Sequence, residues 1–392
     1  MERRLLALAV ALALASFVLH LPPEAQGALF GTVLIKQPLY NDLWSRAQGY
    51  VAQGRTALLP YVDVNVAEPP LYVAVLAALV DLSNAFGDYG ARALAFNAAQ
   101  AALAAAGLAI GLSALEELGG QRGGTLRKFL WASYVIYGAY SLEPLSLALI
   151  ALSLRELARG RRFAAGLAAG LAASLSAPAL ALLAVELAAF AAEWSPAGML
   201  GVLAGSSAYA ASIPFPGWAS SFISSLMGPN INNGLWNLLT ARADAAEAYG
   251  LGGGVLMAFA FGCLVLARRE AGDPGAAASI AALAIAGSIV LSPAFTPQLM
   301  VILIPLHVAL FGGAETALRL SDLLNSMIIP LWFADAQIRE QLAELGFRIV
   351  VEQNPMSLSS PVQWIAQARN LLCLYVLYVE AAAVSRLIRK GQ

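Results

Sequence analysis

Long apolar runs broken by short charged or proline-containing interruptions set the pattern of this chain. Such runs occupy 5–21, 90–113, 127–141, 144–158, 161–176, 178–193, 197–213, 250–268, 276–292, 297–315, 318–334 and 363–388. A helix crossing the hydrocarbon core needs roughly 20 apolar residues, fewer where it is broken or the bilayer thins. The pattern predicts an all-α fold: one polytopic transmembrane domain over 1–392, a bundle of about 11–13 spans. Residues 70–87 are apolar as well. If they crossed, Arg122, Arg127 and Lys128 would face the side away from the other basic residues, against the positive-inside rule. They are therefore read as a helix lying at the outer interface, with Asp81 and Asp88 reaching water.

The same rule gives an orientation. The predicted inner face collects Arg3, Arg4, Arg122, Arg127, Lys128, Arg155, Arg159, Arg161, Arg162, Arg268, Arg269, Arg386, Arg389 and Lys390, which makes both termini cytoplasmic. The first extracytoplasmic loop, 22–89, carries the interfacial helices, and 214–249 and 335–362 form further outer loops. Residues 127–158 fold back as a hairpin with its tip at Glu143-Pro144, where proline favours a break. A second hairpin, 161–193, turns at Ser176-Ala177-Pro178. Gly166 and Gly170 stand at the GxxxG spacing that lets helices pack closely in lipid, and packing is the role assigned to them. Gly252-Gly253-Gly254 opens an apolar span and lacks the strand and Lys-Ser/Thr context of a phosphate loop. The segment from Leu5 to Leu21 is read as an uncleaved signal anchor, because Pro22, Pro23 and Glu24 make a poor cleavage region.

Composition sharpens this picture. The chain has 392 residues, 59% hydrophobic and 12% charged, against the quarter or so that a water-facing surface requires. Mean hydropathy is +0.71. The formal net charge of −1, with no basic tail, excludes a nucleic-acid partner. Cys263 and Cys373 lie in apolar runs and read as small buried hydrophobes. Two cysteines and two distant histidines, His20 and His307, supply neither a disulfide framework nor a zinc pattern.

Candidate chemistry concentrates in the first outer loop. Asp42, Arg46 and Tyr50 fall at i, i+4 and i+8, so one face of an interfacial helix carries all three. A carboxylate there is suited to general-base work on an incoming hydroxyl, and the arginine fork suits phosphate oxygens. The plain alternative is an exposed ion pair worth less than about 1 kcal/mol. Arg55, Asp63 and Glu68 follow in the same loop. Glu143, at a membrane hairpin tip, is costly unless it faces protein or water. Gln298 lies at the same depth, with helix capping as its plain alternative. Arg369 begins the last span, where it either meets an anionic headgroup or snorkels to the interface.

Tyr40-x-Asp42, then Ala47-x-x-Tyr50-Val51-x-x-Gly54-Arg55, Pro60-Tyr61 and a Pro69-Pro70-Leu71 run before an apolar helix resemble the first lumenal loop of GT-C glycosyltransferases. The likeness is greatest to the first mannosyltransferase of glycosylphosphatidylinositol synthesis and its prokaryotic relatives. Glu143-Pro144-Leu145, the Gly166–Pro178 hairpin and the segment 292–298 continue it in order along most of the chain; motif-level specificity is confined to the first loop. The resemblance implies transfer of a sugar, commonly mannose, from a polyprenyl-phosphate donor such as dolichyl phosphate mannose to a lipid or glycan acceptor. Asp42 would be the base, Asp63, Glu68 and Glu143 supporting acids, and Arg46, Arg55 and Arg369 the groups facing the donor phosphate. The family's first loop often carries Asp-x-Asp, where this chain has Asp42-Leu43-Trp44. The resemblance therefore fixes no cofactor; a divalent cation and a partner subunit are left open. Two rival readings are a GT-C-like subunit without chemistry and a lipid or solute transporter. Transporters show internal repeats with polar sites at mid-membrane, which this chain does not display.

Overall fold

Alanine- and leucine-rich runs favour helix, and prolines and glycines between them set where each helix stops. The computed structural model describes residues 3–36, 38–64, 66–120, 131–215, 217, 218, 220–222, 233–241, 244–348 and 354–391. Helix accounts for 78% of it, and no strand forms among the described residues. Arg122, Arg127 and Lys128 lie outside the described residues, as does much of the predicted loop 214–249.

The first helix, α1 (Arg3–His20), gives way at Leu21-Pro22 to α2 (Pro23–Phe30), bent from it by 112°. α3 (Asp42–Gln53) ends at Gly54, whose φ of 66° is a left-handed conformation that glycine adopts without strain. α4 (Pro70–Asn84) starts on a proline, which has no N–H to leave unpaired at a helix start. Asp88 accepts from Ala91 N at 2.8 Å and caps α5 (Tyr89–Gly119). Two helix pairs joined by short turns follow. α6 (Ala132–Tyr137) leads to α7 (Glu143–Ala158), and α8 (Arg162–Leu175) to α9 (Ala179–Ala192). The breaks at Glu143-Pro144 and Ser176–Pro178 fall where proline predicts them, but only α8 and α9 pack on each other as a hairpin. The predicted hairpin over 127–158 does not form, because α6 packs on α1 instead of α7. Further helices are α10 (Pro196–Gly205), α11 (Ser207–Ser212), α12 (Ala245–Arg269), α13 (Pro274–Val290), α14 (Met300–Leu306), α15 (Glu315–Glu344) and α16 (Pro361–Gly391). A tight turn, Leu235–Ala241, precedes α12, and a π-helical turn, His307–Phe311, extends α14.

Among the described residues, α5, α12 and α16 are long and apolar enough to cross a membrane, and the bent pair α1–α2 makes a fourth if taken as one span. The chain is an all-α membrane protein in this sense. Most other expected spans are shorter apolar helices of 10–17 residues. A 14-residue helix reaches only about 21 Å, against roughly 30 Å of hydrocarbon. Pro178, Pro196, Pro274 and Pro297 stand at the edges of these runs, at or beside the helix starts. The predicted outer loop 335–362 also changes: α15 continues through Pro330 to Glu344, so the first part of that loop is helix.

Glycine contacts draw the helices together. A Cβ on Gly107 of α5 would meet the Pro144 backbone of α7 at 2.5 Å, and one on Gly111 would meet Leu147 at 2.8 Å. On α8, a Cβ at Gly170 would lie 2.7 Å from the Gly205 carbonyl carbon of α10. The GxxxG spacing thus serves close packing. The α5–α7 contact matters most, because it fixes the helix start that carries Glu143.

Charge separates to the two ends of α7. At its far end Arg155 and Arg159 bracket Glu156 and Glu117, with Arg161 joining Glu156 at 3.3 Å. Glu143 stands at the other end, about 22 Å away along the helix axis.

Candidate active site

Asn41 fastens the start of α3. Its side-chain oxygen accepts from Trp44 N at 3.0 Å, and its amide donates to Gln100 Oε1 of α5 at 3.1 Å. Leu43 N donates to the Tyr140 carbonyl at 3.2 Å, tying α3 to the turn before α7. Trp44 packs beside Phe96 and Tyr89. This clamp holds Asp42 in the first turn of α3, where the helix dipole favours a carboxylate.

Arg46 stands between two acids. Nη2 lies 3.2 Å from Asp42 Oδ2, and Nη1 lies 2.7 Å from Glu68 Oε1. The guanidinium also faces the Tyr72 ring at 5.7 Å. Burial works against its charge, but Asp42 and Glu68 outweigh that and hold the guanidinium pKa above its ordinary value. Burial lifts the Glu68 carboxyl above the usual range; Arg46 opposes the rise and Asp42 adds to it. Asp42 and Glu68 have side chains 18% and 28% exposed, so the pair is open on one side.

The site extends onto α7 and α4. Glu143 accepts from the Ser141 hydroxyl and lies within electrostatic reach of both Asp42 and Glu68. Tyr40 Oη sits 2.7 Å from Ser45 Oγ and donates to Asp42 Oδ1 at 3.5 Å. Tyr72 feels Asp42, Arg46, Glu68 and Glu143 together, yet its buried hydroxyl has no hydrogen-bond partner. A buried unpaired hydroxyl costs about 1–3 kcal/mol. Here it stands beside a cluster whose acids outnumber its cation. Such an arrangement can take a proton from a hydroxyl and hold a hydroxyl-rich ligand through acceptors.

The other sequence-predicted residues lie apart from this group. Arg55 and Asp63 pair at 2.9 Å, and Asp63 accepts from Leu59 N at 3.0 Å, closing a turn of the same loop. That turn is tied to the main site through Tyr61 Oη, which donates to the Glu68 carbonyl at 2.5 Å. Arg369 is enclosed, with no exposed surface. It donates from Nη1 to Asn325 Oδ1 at 2.8 Å and from Nη2 to the Asn233 and Phe295 carbonyls at 2.9 and 3.0 Å. Its guanidinium lies 3.9 Å from the Phe295 ring centroid. The expected headgroup contact at Arg369 is therefore replaced by an internal network, since every acceptor it meets is a neutral group of the bundle. Gln298, half-buried in the turn Pro297–Leu299, belongs to that region, where Asn325 donates to the Pro297 carbonyl at 2.9 Å. Tyr137 and Tyr140, edge to face at 5.5 Å, stand between the two polar groups.

Sequence reasoning passed over Tyr72, Asn41, Asn97 and Gln100, and took Tyr40 only as part of a motif. A signal existed for two of them: Asn97 and Gln100 are polar residues one turn apart within an apolar helix, where polarity is expensive. Tyr72 lies one turn beyond Glu68 but reads as interfacial aromatic.

A divalent ion does not fit the residues as placed. Arg46 occupies the gap between Asp42 and Glu68, and no group of three or more His, Cys, Asp or Glu among the described residues is arranged around one point. No protein-family model matches the chain, and no curated protein matches it in sequence.

Proposed function

We propose that this chain is a membrane glycosyltransferase of GT-C type, moving a sugar, mannose first among the choices, from a polyprenyl-phosphate donor to an acceptor hydroxyl on the extracytoplasmic side. The reading counts about a dozen crossings, shorter helices included, with both termini cytoplasmic. The observation that carries it is the convergence of Asp42 and Glu68, drawn from two separate segments, on Arg46 in one partly open patch, with Glu143 within electrostatic reach behind it.

In this mechanism Asp42 accepts the proton of the acceptor hydroxyl. The freed oxygen attacks the anomeric carbon while the bond from that carbon to the phosphate oxygen breaks, and the polyprenyl phosphate leaves with the bonding pair. Configuration inverts. Arg46, 29% exposed, is the cation nearest the acids and the one best placed to face the leaving phosphate. Arg55, on the same loop, supplies positive charge at the rim. Arg369 has no part in this version; it supports the bundle behind Tyr137.

Membranes carrying the full chain and supplied with a polyprenyl-phospho-mannose donor test the base. Asp42→Asn is expected to lower transfer by about 10²–10⁴-fold with an unchanged yield of folded protein. Transfer at the native rate by that variant removes Asp42 from the mechanism.

A second reading, a GT-C-like subunit without chemistry, draws on the same contacts. Arg46 already neutralises both Asp42 and Glu68, as in a structural pair. Absence of transfer by the native chain, together with its retention by a partner membrane protein, would favour this reading.

A further inference from the structure

At the end of the bundle away from Asp42, α12, α13 and α16 leave a cleft of about 480 Å³. Its floor and walls are apolar, with Phe259, Leu266, Leu283 and Val384, and Arg269 and Arg389 belong to its lining. Several observations locate this cleft in the fold. Gly119, at the far end of α5, packs on the Ala309 backbone, and Glu117, two residues earlier, meets Arg155. His307, in the same π-helical turn as Ala309, pairs with Glu380 of α16 at 3.0 Å. Arg389 lies beyond Glu380 on the same helix. The cleft thus opens at the end where the arginines gather.

Its surroundings fit a lipid. α12 is the most peripheral of the long apolar helices, with 17% of its apolar window buried, and Met257, Phe261 and Val265 are exposed along it. A hydrocarbon-lined recess on such a helix faces acyl chains rather than water. The two arginines then pose a charge problem. Arg269 has Glu270 at 3.5 Å, and no carboxylate among the described residues pairs with Arg389. Both stand in or near the last turn of their helices, where the negative end of the dipole favours cations. Their forks suit phosphate oxygens.

We propose that this cleft is a binding site for one anionic diacyl phospholipid, its chain lying against Phe259, Leu266 and Val384 and its phosphate held between Arg269 and Arg389. The site lies apart from the Asp42 patch and does not depend on the glycosyltransferase reading. Arg155, Arg159 and Arg161 at the same end of the bundle are engaged with Glu117 and Glu156 and take no part in it.

Native mass spectrometry of the full chain, purified and then mixed with equal amounts of dioleoyl phosphatidylglycerol and dioleoyl phosphatidylcholine, tests the assignment. The native chain is expected to keep one phosphatidylglycerol at about tenfold lower lipid concentration than phosphatidylcholine, about 1.4 kcal/mol. R269Q/R389Q removes that preference. Gly262→Leu fills the cleft from α12, where a Cβ meets nothing within 4 Å, and leaves both arginines in place. It is expected to weaken phosphatidylglycerol retention about as much. Arg155→Gln, outside the cleft, keeps the preference. Equal retention of the two lipids by the native chain overturns the proposal. So does full retention by Gly262→Leu, which would reduce the effect to surface charge. A native melting temperature for each variant in detergent keeps misfolding from passing as lost binding.

Discussion

Arg46 and Arg369 are the same residue in two settings, and the contrast separates chemistry from architecture. Arg46 is partly exposed, and two carboxylates hold it. Arg369 is wholly enclosed and meets only amide and carbonyl oxygens, with an aromatic ring over its plane. A cation buried among neutral acceptors binds several chain segments at once, here α15, α16 and the segments around Asn233 and Phe295. Its removal leaves those acceptors without partners in a medium that supplies no water. A cation shared by exposed acids can let go of one of them when a ligand arrives. Position within the bundle, rather than residue type, decides which role an arginine plays.

Four substitutions sharpen or break that contrast. The largest effect is expected at Arg369→Leu, which should cost on the order of 3 kcal/mol, since each buried acceptor left unpaired costs about 1–3 kcal/mol. Thermal unfolding in detergent reads this, and a variant as stable as the native chain would show that Arg369 is not a structural centre. Tyr72→Phe should act in the opposite direction. Deleting an orphaned buried hydroxyl is expected to raise stability by about 1 kcal/mol while transfer falls about tenfold, about 1.4 kcal/mol of barrier. A stability gain with full transfer would remove Tyr72 from ligand contact. Arg46→Gln should cost less than about 1 kcal/mol in stability, yet lower transfer. The Glu68 carboxyl should then titrate still higher, because Arg46 is what holds its pKa down. If Arg46→Gln unfolds the chain as readily as Arg369→Leu, the contrast between the two arginines fails. The smallest effect is expected at Arg55→Ala: its pair with Asp63 is exposed, and its loss should shift stability by less than about 0.5 kcal/mol, measured in the same unfolding experiment.

Much of the helical plan was legible beforehand. The breaks at Glu143-Pro144 and Ser176–Pro178 follow from proline's missing N–H, and α5, α12 and α16 follow from long apolar runs without a breaker. The helix bearing Asp42 and Arg46 was readable from i, i+4 spacing. The number of full-length spans was not, because apolar runs of 15–19 residues do not by themselves fix where a helix ends. Nor was the separation of Arg369 from Asp42, since both sit beside apolar runs and look alike in one dimension. Tyr72 escaped because an aromatic residue at an apolar helix start has an ordinary interfacial explanation.

By itself, the order of residues determined that this chain belongs in lipid, that it is helical, and that Asp42, Asp63 and Glu68 lie in the segment after the first apolar helix. Hydropathy, proline chemistry and short-range spacing carry that information, and each acts over a few residues. Only the tertiary structure decided that Glu68 and Glu143 join Asp42, that Arg46 rather than Arg369 is their cation, and that a cleft opens between α12, α13 and α16. Those outcomes depend on contacts between residues distant along the chain, such as Gly107 against Pro144 and Asn41 against Gln100, which no local pattern records.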